Sequence, residues 1–149
     1  GYEDAGLFAR LGIKSPAEIF LKKKPDAPVP KLTIPQMFYD DEWGKAETIS
    51  ALDPDDDLYR AFAAACYAPS FLNLQPYRLI HDGDKIVLTA VMDDTTDAAD
   101  AKLNFGIVMM HFEGAVSRQS SGFKGWKLEV PDKDYKLPEN AYVVGYYQL

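Results

Sequence analysis

Ala68-Pro69-Ser70-Phe71-Leu72-Asn73-Leu74-Gln75-Pro76-Tyr77-Arg78 separates a helical pattern from a strand pattern, and its reading decides the rest. Pro69 and Pro76 bracket the stretch, and each holds the residue before it in extended geometry. Ser70, Asn73 and Gln75 are unevenly spaced, so no single face of a helix or strand presents all three. A loop with fixed ends does. Their hydroxyl and carboxamide groups offer donors and acceptors without charge, which suits the edge of a polar heterocycle. No histidine lies nearby in sequence to activate a nucleophile. An ordinary helix-to-strand connector is the plainer reading of the same letters.

Upstream, Asp53-Pro54-Asp55-Asp56-Asp57 reads as a helix start, with Asp53 as N-cap and Pro54 in the first turn. The carboxylates sit where the helix dipole favours them. They lack the glycine and distal glutamate of a calcium loop. Leu58, Ala61, Phe62 and Ala65 follow at helical spacing as a buried face. Cys66 lies beside that face with nothing basic adjoining it, so it reads as a small core hydrophobe.

Downstream, Tyr77–Ile80 and Lys85–Val91 read as two strands. His81-Asp82-Gly83-Asp84 joins them, and Asp-Gly is a hairpin signal. His81 is therefore expected at an exposed turn, without a catalytic role. Asp93-Asp94-Thr95-Thr96-Asp97 opens a long helix predicted to run to about Arg118. From Leu103 through Phe105, Ile107, Val108, Met109, Met110 and Phe112 it is apolar almost all round. Such a helix is buried in a core or at a subunit interface. Asp100, Asn104 and His111 form a narrow polar stripe along it. A single histidine there reads as a satisfied core residue, because a metal needs further ligands. Gly125–Val130 and Ala141–Tyr147 complete the predicted strands.

At the N-terminal end, Leu7, Phe8, Leu11 and Ile13 show a weak helical period. Ser15-Pro16-Ala17-Glu18 is a capped helix start, and Lys22-Lys23-Lys24 reads as its solvated end. Pro25, Pro28, Pro30 and Pro35 mark an extended surface connector. Met37, Phe38, Tyr39 and Trp43 either anchor that connector or form a short helix beside the core. The implied division is a tail of a preceding half-domain over 1–24, a connector over 25–50 and a half-domain over 51–149.

The totals set outer bounds. A chain of 149 residues is one domain by default, and 47% hydrophobic residues suffice for a real core. A formal charge of −7 argues against nucleic acid and against an anionic membrane surface. One cysteine allows no internal disulfide and points to a reducing, cytoplasmic compartment. No apolar run approaches membrane-spanning length, and no signal peptide is visible. The chain starts at Gly1, and Gly145-Tyr146 echoes Gly1-Tyr2. Both suggest the tail of one structural repeat followed by most of a second.

The pattern Ala68-Pro69-Ser70-x-x-Asn73-x-Gln75-Pro76, followed by the aromatic Tyr77, resembles the flavin-contacting loop of nitroreductase-like flavoproteins. Asp100-x6-Ile107-x3-His111-Phe112 is similar to a helix of the branch in which one chain carries two related halves, a pseudo-dimer. Gly1-Tyr2 and Lys14-Ser15-Pro16 resemble the end of the first half of such proteins. The likeness covers residues 57–149, and faintly 1–24. It implies an α+β fold, an antiparallel-rich sheet flanked by helices, present here as a half unit completed by another chain or fragment. It implies FMN as cofactor, NAD(P)H as electron donor and a nitroaromatic, quinone or similar small acceptor. Carried over, Pro69, Ser70 and Asn73 contact the flavin, Gln75 supports the loop or reaches the cofactor, and Lys14 faces the phosphate. The family's Arg-x-Ser-x-Arg phosphate stretch is not in this sequence, so the partner expected is an N-terminal half or a second copy. Two other functions fit the same residues. One is a non-catalytic binder of flavin or another small molecule; the other is an interaction domain without ligand.

Overall fold

Gly83 has φ +60°, a conformation open to glycine at no steric cost, and it lets the chain reverse in two residues. The hairpin it closes pairs Asp82 with Lys85 and continues to Tyr77 opposite Ala90. In the computed structural model, which describes residues 28–46, 57–116 and 125–149, this hairpin is the centre of a five-stranded sheet.

The elements in chain order are α1 (Ile34–Met37), β1 (Phe38–Asp40), α2 (Asp57–Tyr67), β2 (Tyr77–Asp82), β3 (Lys85–Val91), α3 (Ala98–Val116), β4 (Trp126–Lys127) and β5 (Ala141–Gln148). The sheet order is β1-β2-β3-β5-β4. β1 runs parallel to β2, and the other pairings are antiparallel. The fold is thus mixed α+β with a mostly antiparallel sheet.

Strand alternation sorts the two faces. Tyr77, Leu79, Ile86, Leu88 and Tyr147 join α2 and α3 in the main core. Ile80 and Val87 point the other way and pack with Tyr135. Aromatic rings fill the main core. Phe62 of α2 lies 4.1 Å from Phe38 and 6.1 Å from Phe112, and Phe112 lies 5.5 Å from Tyr147. Ala61, Phe62 and Ala65 are fully buried, as their spacing predicts, while Leu58 is half-buried. Cys66 is buried with them, and burial pushes its thiol up to about 12.

Four expectations need correction. The aromatic stretch after the prolines is neither a simple anchor nor only a short helix. Thr33 N and Oγ1 both donate to Gln36 Oε1, Pro35 sits in the first turn of α1, and Phe38 then enters the sheet as β1. His81 is not in the turn. It lies within β2, half-buried, with its ring 6.4 Å from Phe62. The strand expected at Gly125–Val130 shrinks to Trp126–Lys127, and Leu128 and Val130 are exposed. The long helix begins at Ala98 rather than Asp93. Asp93 instead accepts from Thr95 N, Thr96 N and Thr96 Oγ1, closing a turn, and Asp97 Oδ1 caps Ala99 N and Asp100 N. The Asp53 cap, the Ser15 helix start, the lysine run and the boundaries of the 1–24 segment lie outside the described residues.

α3 buries one side only. Asn104, Phe105, Val108 and Phe112 face the core. Leu103 and Met110 are 64% and 65% exposed, so the apolar surface continues round to the outer side. Among the described residues no helix is long and apolar enough to cross a membrane.

Candidate functional site

The chain from Ala68 to Pro76 turns between α2 and β2 around one short 3-10 turn, Phe71–Asn73. Leu72, Asn73 and Gln75 have φ of +49°, +59° and +50°. Asparagine adopts this left-handed region readily. Leucine and glutamine do so at a cost of roughly 1–3 kcal/mol each, sustained only where the surroundings dictate the backbone.

The surroundings here are specific. Gln75 is 1% exposed, and its carboxamide is taken up at both ends. Leu32 N donates to Gln75 Oε1 at 2.7 Å, while Gln75 Nε2 donates to Pro30 O at 3.0 Å and to Asn73 O at 2.7 Å. Asn73 Nδ2 donates to Val29 O at 2.6 Å. Gln75 N donates to Ser70 Oγ at 3.0 Å, closing the loop on itself. Lys31 Nζ reaches Ala68 O at 2.5 Å, and desolvation lowers the pKa of that amine. On the opposite side Asn104 Oδ1 accepts from Phe71 N at 3.0 Å. The loop is therefore clasped between the Val29–Leu32 strap and α3.

This geometry divides the predicted site residues. Pro69 is exposed, and Ser70 and Asn73 are half-buried. Among the described residues, no hydrogen bond is seen from the Ser70 hydroxyl proton or to Asn73 Oδ1. Gln75 is a support, with its side chain spent inside the protein. Lys14 lies outside the described residues, so it is not brought to the others here. Arg78 Nη1 donates to Gln75 O and Tyr77 O, so this cation braces the end of the loop.

Two residues of this assembly were missed in the sequence. Lys31 lies in a proline-rich stretch with no motif of its own. Asn104 was visible on the polar stripe, but nothing showed that it ties down the loop. Its Nδ2 is buried and has no hydrogen-bond partner. His111, on the same stripe, is half-buried. No group of three or more metal-ligating side chains gathers among the described residues.

Pro76 also lines a cavity of about 210 Å³ whose other walls include Ala90, Ala101, Phe105 and Tyr142. An apolar cavity of about 150 Å³ holds a benzene ring, and pockets for larger ligands run from about 300 Å³. This one lies between those two sizes. Ser70, Asn73 and Pro69 do not line it. No known protein family, curated protein or solved structure matches the chain.

Proposed function

We propose that the chain supplies one wall of an FMN site in an oxidoreductase, with the other wall coming from an N-terminal half of the same protein or from a second copy. The observation that carries this reading is the strained, doubly clasped loop. Backbone strain held by surrounding bonds concentrates where a ligand has to be met by preformed groups. Here three positive-φ residues within four positions present Pro69, Ser70 and Asn73 at the surface.

These residues fit the edge of an isoalloxazine. The Ser70 hydroxyl donates, Asn73 Oδ1 accepts, and neither introduces charge beside a neutral ring. Ile107, one helical turn beyond Asn104, is half-exposed, and Leu103 and Met110 extend the apolar surface on which a ring or partner can lie. The fit is that of a half-site. The cavity at Pro76 is not lined by Pro69, Ser70 or Asn73, and the loop's neighbouring cations brace its carbonyls. When bound, FMN would supply the redox chemistry, taking hydride from NAD(P)H and passing electrons to a nitroaromatic, quinone or similar acceptor. The chain's own part is positional: Gln75 and Asn104 fix the loop, and the loop holds its donor and acceptor still.

The assembly as isolated is expected to be yellow and to be bleached by NAD(P)H. Ser70→Ala with Asn73→Ala should reduce flavin content while the fold survives. A colourless assembly that gains no flavin spectrum when titrated with FMN overturns the reading.

The exposed Leu103 and Met110 favour a second reading, an interaction domain without ligand. In that case Met110→Glu abolishes association, and Ser70→Ala with Asn73→Ala changes nothing.

A further inference from the structure

The two long sides of β5 are not equally used. β3 opposes it from Ala141 to Gln148, whereas β4 opposes only Tyr146 and Tyr147. Among the described residues, no strand pairs with residues 141–144 on the side away from β3. The neighbouring chain leaves that side at Gly145. The Lys127 carbonyl and Leu128 Cα stand where a side chain on Gly145 would be, so the backbone beyond β4 has already risen out of the sheet plane. The β3–β5 register shifts beside Val144, which bends the strand at the same place.

The ladder shows which peptide groups face the open side. Met92 N donates to Asn140 O, so that pair is of the hydrogen-bonded kind, and alternation makes Ala90 and Tyr142 the same. Ala141 and Val143 therefore turn their peptide groups away from β3. The Ala141 N–H is held by Pro138 O at 2.9 Å. Among the described residues, the Ala141 C=O and the N–H and C=O of Val143 remain for a further strand. Tyr142, between them, opposes Ala90 of the main core, and both line the cavity beside Pro76. The floor of that cavity is Pro76, Ala90, Ala101 and Phe105.

We infer that this edge of β5 takes up an extended peptide segment of a partner protein as a sixth strand, with one ring-bearing side chain of the segment set in the cavity. Two independent observations select that occupant. Outward N–H and C=O groups match the main chain of another strand, and edges that stay unpaired are blunted by charge or proline. Ala141, Tyr142, Val143 and Val144 carry neither. Residues opposite one another in a ladder share a face, so the segment's residue opposite Tyr142 points to the cavity side. The cavity, about 210 Å³, is larger than the about 150 Å³ that takes a benzene ring.

A second copy of this chain fits the edge poorly. Antiparallel pairing of two β5 edges brings the β4 of each, which lies on the same side, against the turn between Pro138 and Ala141 of the other. A single extended segment has no strand at its side to collide. The site is separate from the flavin reading, because Pro69, Ser70 and Asn73 do not line the cavity.

The test uses the full chain and a short synthetic peptide in which threonine alternates with valine and phenylalanine stands at the centre. One control carries alanine at the centre; another is N-methylated at every threonine, which removes the donors that would face Val143. Backbone amide shifts in two-dimensional NMR locate and rank binding. The parent peptide is expected to shift the amides of Tyr142, Val143 and Val144 saturably and to slow hydrogen exchange at Val143. The alanine peptide should bind about ten-fold more weakly, the scale of one aromatic ring withdrawn from water. The N-methylated peptide should produce no saturable shift. Ala101→Leu fills the cavity floor and should make the phenylalanine and alanine peptides equal, with protection at Val143 kept. Circular dichroism confirms that this variant is folded, and the ranking of the peptides on the unaltered chain decides the matter if it is not. On that chain, equal binding of the parent and N-methylated peptides, equal binding of the phenylalanine and alanine peptides, or no shift at Val143 would each overturn the inference. So would the same shifts growing with protein concentration alone, which would give the edge to a second copy.

Discussion

The side-chain oxygen of Asn104 accepts the backbone N–H of Phe71 at 3.0 Å, joining the middle of a helix to a loop 33 positions earlier. Asn104→Ala removes this acceptor. The expected loss is about 0.5–1.5 kcal/mol by urea denaturation, the net worth of one hydrogen bond. Asn104→Asp keeps the acceptor and removes the unpartnered Nδ2, so the loop should stay tethered in that variant. Hydrogen exchange at Phe71 distinguishes the two.

Gln75→Ala should cost more than a typical surface change, about 2–3 kcal/mol, because it strands Leu32 N and two carbonyls at once. The same variant should speed exchange at the Leu32 amide. If stability and exchange are both unchanged, the clasp does not hold the loop.

Gly145→Ala tests a close approach. A Cβ built on Gly145 collides with the Lys127 carbonyl and lies 3.1 Å from Leu128 Cα. Both obstacles are backbone, held there by the pairing of β4 with β5. An expected destabilisation of about 1–3 kcal/mol follows from overpacking. Gly106 and Gly114 on α3 meet nothing within 4 Å, so alanine there should be neutral or stabilising in the isolated chain.

Alkaline pH should destabilise the fold through Cys66. Burial raises its thiol from 9.0 to about 12, so the unfolded chain loses this proton before the folded chain does. The stability contributed by the neutral thiol is full below about pH 9 and declines as pH rises toward 12. Tyr77 is raised by burial as well and adds to the decline at higher pH, whereas the lowered amine of Lys31 opposes it. Unfolding measured at pH 8 and pH 10 should therefore differ less in Cys66→Ala than in the unaltered protein. Equal differences would place the thiol in contact with water.

The readable parts of the sequence were those with local causes. The hairpin announces itself through Asp82-Gly83 between two largely apolar runs, and α2 through the spacing of Ala61, Phe62 and Ala65. β1 could not be read so, because Phe38–Asp40 is a strand only through its parallel partner at Leu79–His81. His81 was misplaced for a related reason: the ladder opposite Ile86 continues two residues beyond the apolar run. Around the candidate site, Ser70, Asn73 and Gln75 stood out by type, but the division between support and contact was hidden. It depends on Val29 to Leu32 arriving from far upstream, and on left-handed backbone at Leu72 and Gln75 that neither residue type signals.

The clasp also bears on the order in which the molecule assembles. The strap's bonds to Asn73 and Gln75 join positions 43 to 45 apart, while the Asp82–Lys85 turn closes over three. Long closures lag short ones in folding, and they open first in the native state when few contacts secure them. The strap should therefore seat late and lift early. Until it seats, Leu72 and Gln75 are free to relax toward ordinary backbone angles, so a segment more than forty residues away sets how long the loop keeps its shape.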